Sequence, residues 1–197
     1  KPREVHCPSN TRLDGWKHAT GEWICFIDDD DMFEPDTFCF IKEKVKESDE
    51  ITPIFTSHRV YYYESNVYGD TFDGGTWLHG KFYNRQWLID EGIDFKENLY
   101  TNEDLHFNGL VVATLYGRGL NFRKFDRCTY KWIHNPKSFT RSFDSSKHSL
   151  LETYFSDYTD AAINPWLDVL KKFPNVNDLI FEHLCLMILY MYFYNQA

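Results

Sequence analysis

Five apolar residues in a row, Trp23-Ile24-Cys25-Phe26-Ile27, open directly onto four consecutive aspartates, Asp28 to Asp31. An unbroken run of aromatic and branched residues predicts a strand buried on both faces, in the middle of a sheet. The aspartates then stand at the carboxyl end of that strand, where open α/β sheets place their ligands. Adjacent carboxylates repel one another, and the repulsion costs stability unless a cation or hydrogen-bond donors offset it. A divalent cation is the simplest offset. Mg²⁺ and Mn²⁺ take oxygen ligands, typically one or two carboxylates together with phosphate oxygens. Asp28 and Asp30 are two residues apart and point the same way if the chain stays extended. The competing expectation is a solvated acidic turn in which Asp31 caps the next helix.

The remaining pattern alternates between helix and strand. Asn10 or Thr11 is expected to cap a helix running to about Thr20, and Pro35 opens another that carries Phe38, Ile41 and Val45 at helical spacing. Residues 54–63 read as a strand, and the Gly-, Asn- and Asp-rich residues 65–75 as a loop. A short extended piece at 77–82 precedes a helix at 84–91 that Gly92 stops. Asn102 caps a helix over 103–116, and 120–132 has strand character. Residues 134–146 form a polar, basic loop of mobile character, and helices follow at 150–155, 163–173 and 176–194. This order predicts an α/β domain over residues 1–145 and a helical region over 146–197.

Charge and cysteine usage narrow the function. Lys and Arg number 21 against 30 Asp and Glu, a net charge of −9. A nucleic-acid partner is therefore excluded, because phosphate tracking needs a clustered positive face. The five cysteines include no CxxC pair, which points to reduced thiols and a cytoplasmic protein. The apolar stretch Leu184–Tyr194 is about half of a membrane span. Without a Lys/Arg face, these helices are expected to pack on protein, with peripheral membrane contact as the alternative.

Three further groups can carry chemistry. Asn102-Glu103-Asp104 opens a helix, where a carboxylate acts as a cap or, held in a cleft, as a general base. Residues 130–141 include Lys131, His134, Lys137, Ser138, Thr140 and Arg141, a set able to close over a diphosphate or to form an ordinary polar loop. Residues 61–63, Trp77 and Trp87 offer aromatic faces for sugar rings or for the core.

Three blocks of sequence resemble glycosyltransferase family 2. Residues 9–35, SNTRLDGWKHATGEWICFIDDDDMFEP, are similar to the family's helix, apolar strand, D-x-D-D motif and nearby Pro. Residues 78–107, LHGKFYNRQWLIDEGIDFKENLYTNEDLHF, resemble its acceptor-side block, in which a G-K-aromatic-x-R helix leads to an E-D motif. Residues 130–142, YKWIHNPKSFTRS, resemble the segment that closes the catalytic domain. The resemblance implies a GT-A fold, a partial Rossmann-like mixed sheet flanked by helices. It also implies an inverting hexosyl transfer from a nucleotide-sugar donor, a UDP-sugar foremost, to a glycan or other hydroxyl acceptor in polysaccharide or glycoconjugate synthesis. Asp28 and Asp30 are then the D-x-D pair that holds Mn²⁺ or Mg²⁺. Asp28 and Asp29 face the donor, and Lys131, His134, Ser138 and Arg141 its diphosphate. Trp77, His79, Gly80 and Lys81 bind the acceptor, Asp104 is the base, and Glu103 its helper. The family's usual opening strands, bearing P-x-[YF]-N and D-D-x-S, precede such blocks, so further domains are expected in a longer protein. Alternatives from the residues alone are a nucleotidyl or phosphoryl transferase using the same carboxylates, and a non-catalytic carbohydrate-binding remnant.

Overall fold

The computed structural model describes residues 7–48, 50–62, 67–71, 75–134, 148–174 and residue 182. Two compact units interleave along the chain: one comprises Gly21–Trp87 and Phe122–Lys147, the other Lys1–Thr20, Leu88–Asn121 and His148–Ala197.

The first unit holds the strands. They are β1 (Trp23–Ile24), β2 (Met32–Phe33), β3 (Ile54–Tyr62), β4 (Val67–Thr71), β5 (Lys81–Asn84) and β6 (Arg123–His134), with helix α2 (Thr37–Lys46) between β2 and β3. The sheet order is β1-β5-β3-β6-β2, with β4 paired to β3 off this path. β3 and β6 run parallel and the other pairs antiparallel, which makes the sheet mixed. Ile41 of α2 packs with Ile54 and Phe82 of the sheet, joined by Trp23, Phe33, Phe40 and Phe125. This bulky apolar layer removes α2 and the sheet face from water together, the dominant favourable term in folding.

The parallel β3–β6 pairing is irregular where it matters. Thr56 pairs Phe125, Ser57 pairs Cys128 and His58 pairs Tyr130, so β6 carries extra residues opposite Ser57. A bulge of this kind bends a strand and re-aims its side chains. Beyond it the alternation of β6 sends Tyr130, Trp132 and His134 to one face, and Lys131 and Ile133 to the other.

The second unit is helical. It includes α1 (Pro8–His18), α4 (Glu103–Gly117) and α5 (His148–Lys172), while α3 (Arg85–Glu91) follows β5. Pro8 sits in the first turn of α1, where its missing N–H is no loss. Leu99, Leu105, Ala161 and Ala162 make one buried cluster, with Ile163 against it.

Three sequence expectations change. The Trp23–Ile27 run is not a central buried strand: only Trp23 and Ile24 are β, at one end of the sheet order, and Ile27 is 46% exposed. Strand propensity marked the segment, but pairing to β5 set its place. Residues 67–71, expected in a loop, form β4, because β3 supplies a hairpin partner for their backbone. The helices expected at 150–155 and 163–173 are one helix of 25 residues, with Pro165 inside it. The loss at Pro165 is one backbone bond, outweighed by burial of Ala161, Ala162, Trp166 and Val169 around it. The helix expected at 176–194 lies outside the described residues, and among the described ones no helix is long and apolar enough to cross a membrane.

Candidate metal centre

The four aspartates do not continue the strand. The Asp31 N–H donates to the Asp28 carbonyl at 3.1 Å, which closes a turn. In such a turn the first and fourth residues converge and the middle two form the corner. Asp29 and Asp30 are accordingly exposed, whereas Asp31 is buried at 8% exposure. The premise that paired Asp28 with Asp30, an extended chain, does not hold here; the turn brings Asp28 to Asp31.

Asp31 is held by donors on both carboxylate oxygens. The Tyr130 hydroxyl donates to Oδ2 at 2.6 Å, and the Ile133 N–H donates to Oδ1 at 2.8 Å. The same hydroxyl accepts from the Asp28 N–H at 3.3 Å. Burial pushes the Asp31 carboxyl up to about 6; the two donors oppose this, and the charges of Asp28 and Asp30 add to it. The Tyr130 phenol is raised, first by burial and then by its bond to Asp31.

His79 completes the group. Its Nε2 is 3.9 Å from Asp31 Oδ2. Donor atoms of Asp28, Asp31 and His79 all lie within 4.8 Å of one another, near the roughly 4 Å span of ligands across one small cation. Two carboxylates with an imidazole suit Mn²⁺ better than Mg²⁺, which strongly prefers oxygen. A carboxylate offers about four lone-pair positions, so the two donors on Asp31 leave room for an ion. The residues fit a divalent cation.

Aromatic rings line the same place. His79 lies flat on Tyr130 at 4.8 Å and on Trp132 at 5.7 Å. Trp77, 39% exposed, stacks on Trp132 at 6.1 Å. His134 meets Tyr62 at 4.7 Å. Trp87, by contrast, is core at 4% exposure.

Other expected site residues fall elsewhere. Lys81 is 1% exposed; its ammonium donates to the Trp77 carbonyl and lies over the Phe55 ring. Gly80 has φ +65°, and a Cβ there would lie 2.7 Å from Thr56 Oγ1. Its backbone bonds Thr56, whose N–H and hydroxyl both donate to the Gly80 carbonyl. Lys131 is half-buried on the opposite face of β6 from Tyr130. Lys137, Ser138, Thr140 and Arg141 lie outside the described residues.

Glu103 and Asp104 belong to the helical unit. Glu103, 9% exposed, accepts from Arg12 of α1. Asp104 is half-buried and its Oδ1 accepts from the Leu105 N–H at 2.7 Å. Asn102 occupies the cap position with φ 59° but makes no side-chain cap bond. Sequence reasoning did not bring Asp31, Tyr130 and His79 together. A turn signal was available, since four aspartates are a poor strand, but the pairing of β6 was not.

A family model described as Glycosyl transferase family 2 matches residues 3–107, just over half of the chain. No curated protein matches at a significant level. Solved structures are similar. S. aureus TarS 1-349 in complex with UDP-GlcNAc has a TM-score of 0.55 and 17% identity, covering 86% of this chain and 52% of that one. The same TarS segment in complex with UDP has a TM-score of 0.53 and 16% identity, covering 89% and 52%. The chain thus spans about half the length of the structures it matches, and the likeness at these identities is one of fold: an α/β mixed sheet of the GT-A kind.

Proposed function

The chain belongs to glycosyltransferase family 2, and from that premise we propose that it transfers a hexose from a UDP-sugar to a hydroxyl of a glycan acceptor, with inversion, in polysaccharide or glycoconjugate synthesis. The observation that carries the reading is the convergence of Asp28, Asp31 and His79 beside the Trp77–Trp132 stack. In this reading these three residues hold Mn²⁺. A cation bound there would neutralise the charge of a departing diphosphate. Asp29 and Asp30, at the exposed corner of the turn, face the donor. The Trp77 indole stacks on a sugar ring. His134, Ser138 and Arg141 are assigned to the diphosphate, as charge and hydroxyl donors suit it; Lys131, on the face of β6 opposite Tyr130, is not.

Asp104 carries the general-base role, accepting the proton of the acceptor hydroxyl so that its oxygen can attack the anomeric carbon. Glu103 is fixed by Arg12 and supports the same helix start. Gly80 and Lys81 act on the acceptor side indirectly, by shaping the segment that carries Trp77 and His79. The division at residues 145/146 gives residues 146–197 a packing role, within the same compact unit as the helix start that carries Asp104.

The test is calorimetry with UDP and UDP-GlcNAc, with and without Mn²⁺. Nucleotide binding that requires Mn²⁺ is expected, and transfer should invert the anomeric configuration by NMR. Binding indifferent to the metal would refute the metal-dependent reading.

A further inference from the structure

We propose that Tyr130 is the positioning residue of the Asp28–Asp31–His79 centre, a single buried phenol that holds all three candidate ligands in register. The inference rests on the cation reading above. Tyr130 is 1% exposed, so its hydroxyl has no water to compete for. That hydroxyl donates to Asp31 Oδ2 and accepts from the Asp28 N–H. It therefore ties the fourth residue of the acidic turn to the first. Its ring lies at 18° to the His79 imidazole, with 4.8 Å between centroids. A flat stack fixes the tilt of the imidazole without using either ring nitrogen.

The phenol is itself fixed in several ways. The β3–β6 bulge sets Tyr130 opposite His58. The residue before it, Thr129, is fully buried, and its hydroxyl bonds the Thr56 hydroxyl at 2.5 Å. The Thr129 carbonyl accepts from the Thr37 hydroxyl and the Glu34 N–H, both at 2.8 Å. Phe33 meets the phenol ring edge-on, with 5.6 Å between centroids. Backbone and ring are both held, so the hydroxyl position is set before any ligand arrives. Groups that orient metal ligands in this way typically change affinity by about 10–100-fold when removed.

The experiment is Mn²⁺ titration followed by electron paramagnetic resonance, with thermal melts in metal-free buffer. The proteins are the parent, Tyr130→Phe, a p-aminophenylalanine replacement at 130, and Ile41→Val. Ile41 is a core residue of α2 and serves as a stability control. Tyr130→Phe should weaken Mn²⁺ by about 10–100-fold. p-Aminophenylalanine restores a donor and should recover affinity to within about threefold of the parent. Ile41→Val should melt earlier and bind Mn²⁺ as the parent does, which separates positioning from stability. Parental affinity in Tyr130→Phe overturns the inference and leaves the cation reading standing; a parent that binds no Mn²⁺ overturns both. If Tyr130→Phe shows no cooperative melt, the p-aminophenylalanine protein decides: near-parental affinity supports the role, and a tenfold loss overturns it.

Discussion

The sheet unit and the helical unit each bury a carboxylate next to a more exposed one, and they treat it in opposite ways. Asp31 in the sheet unit is met by neutral donors, a phenol and a backbone N–H. Glu103 in the helical unit is met by a full positive charge, the Arg12 guanidinium. Neutral donors hold a carboxylate in place and leave most of its charge uncompensated. An arginine consumes the charge. In the function proposed above, this difference fits Asp31 to a cation and Glu103 to the scaffold. The neighbours differ as well: Asp30 is exposed at the corner of a turn, while half-buried Asp104 stands in the first turn of α4.

The largest expected effect probes the helical side. Asp104→Asn should lower turnover by roughly 10²–10⁴-fold, the contribution of a placed general base. Glu103→Gln should be milder, since Glu103 is already committed to Arg12. Donor affinity should not change in either. Turnover at the parental level in Asp104→Asn would leave Asp104 structural and the reaction without its assigned base.

Backbone constraint gives the next contrast. Gly80→Ala puts a Cβ against Thr56 at φ +65° and should cost roughly 2–4 kcal/mol by denaturant unfolding. Gly92 has nearly the same φ, +67°, with nothing near the missing Cβ, so Gly92→Ala should cost only about 1 kcal/mol. Equal losses would mean that Thr56 yields and that the segment before β5 is not rigid.

Arg12→Met should destabilise by about 1–3 kcal/mol, because it leaves the Glu103 carboxylate buried without its charge partner. Mn²⁺ affinity should be untouched. A shift in Mn²⁺ affinity would undo the separation of roles drawn above.

The smallest effects are in pH. Asp31 has a native pKa of about 6 against 3.8 when unfolded. Below the lower value both states are neutral; as pH rises through the interval the unfolded chain ionises first, so native stability falls. Relative to Asp31→Asn, the metal-free parent should lose on the order of 2 kcal/mol between pH 4 and pH 6.5. His106 of the helical unit slopes the other way. Burial, helped by the Lys96 charge, lowers it to about 4 from 6.5. The unfolded chain takes up the proton first as pH falls, so His106→Asn should remove part of the acid-side loss. Matching slopes in the two variants would contradict both assignments.

The pattern of periodicities was enough to read an α/β fold, the strand over β3 and the helix starting at Glu103. What escaped was set by distance along the chain. His79 and Tyr130 reach Asp31 from 48 and 99 residues away, and only sheet pairing brings them there. The choice between Asp30 and Asp31 rested on one local geometry, turn against extension. The aspartate run has poor strand propensity, yet the preceding apolar residues favoured extension. β4 escaped because Gly69, Asp70 and Thr71 look like turn residues until β3 lies beside them.

Side-by-side Mn²⁺ titrations of Asp31→Asn and Asp30→Asn test the central claim, that the turn selects Asp28 and Asp31 as the carboxylates of the cation site. Both variants remove one charge from the same run of four, so general electrostatics affects them alike. Asp31→Asn should lose Mn²⁺ binding by about 100-fold or more, and Asp30→Asn by no more than about threefold. The reverse order, with Asp30 essential and Asp31 dispensable, would contradict the account.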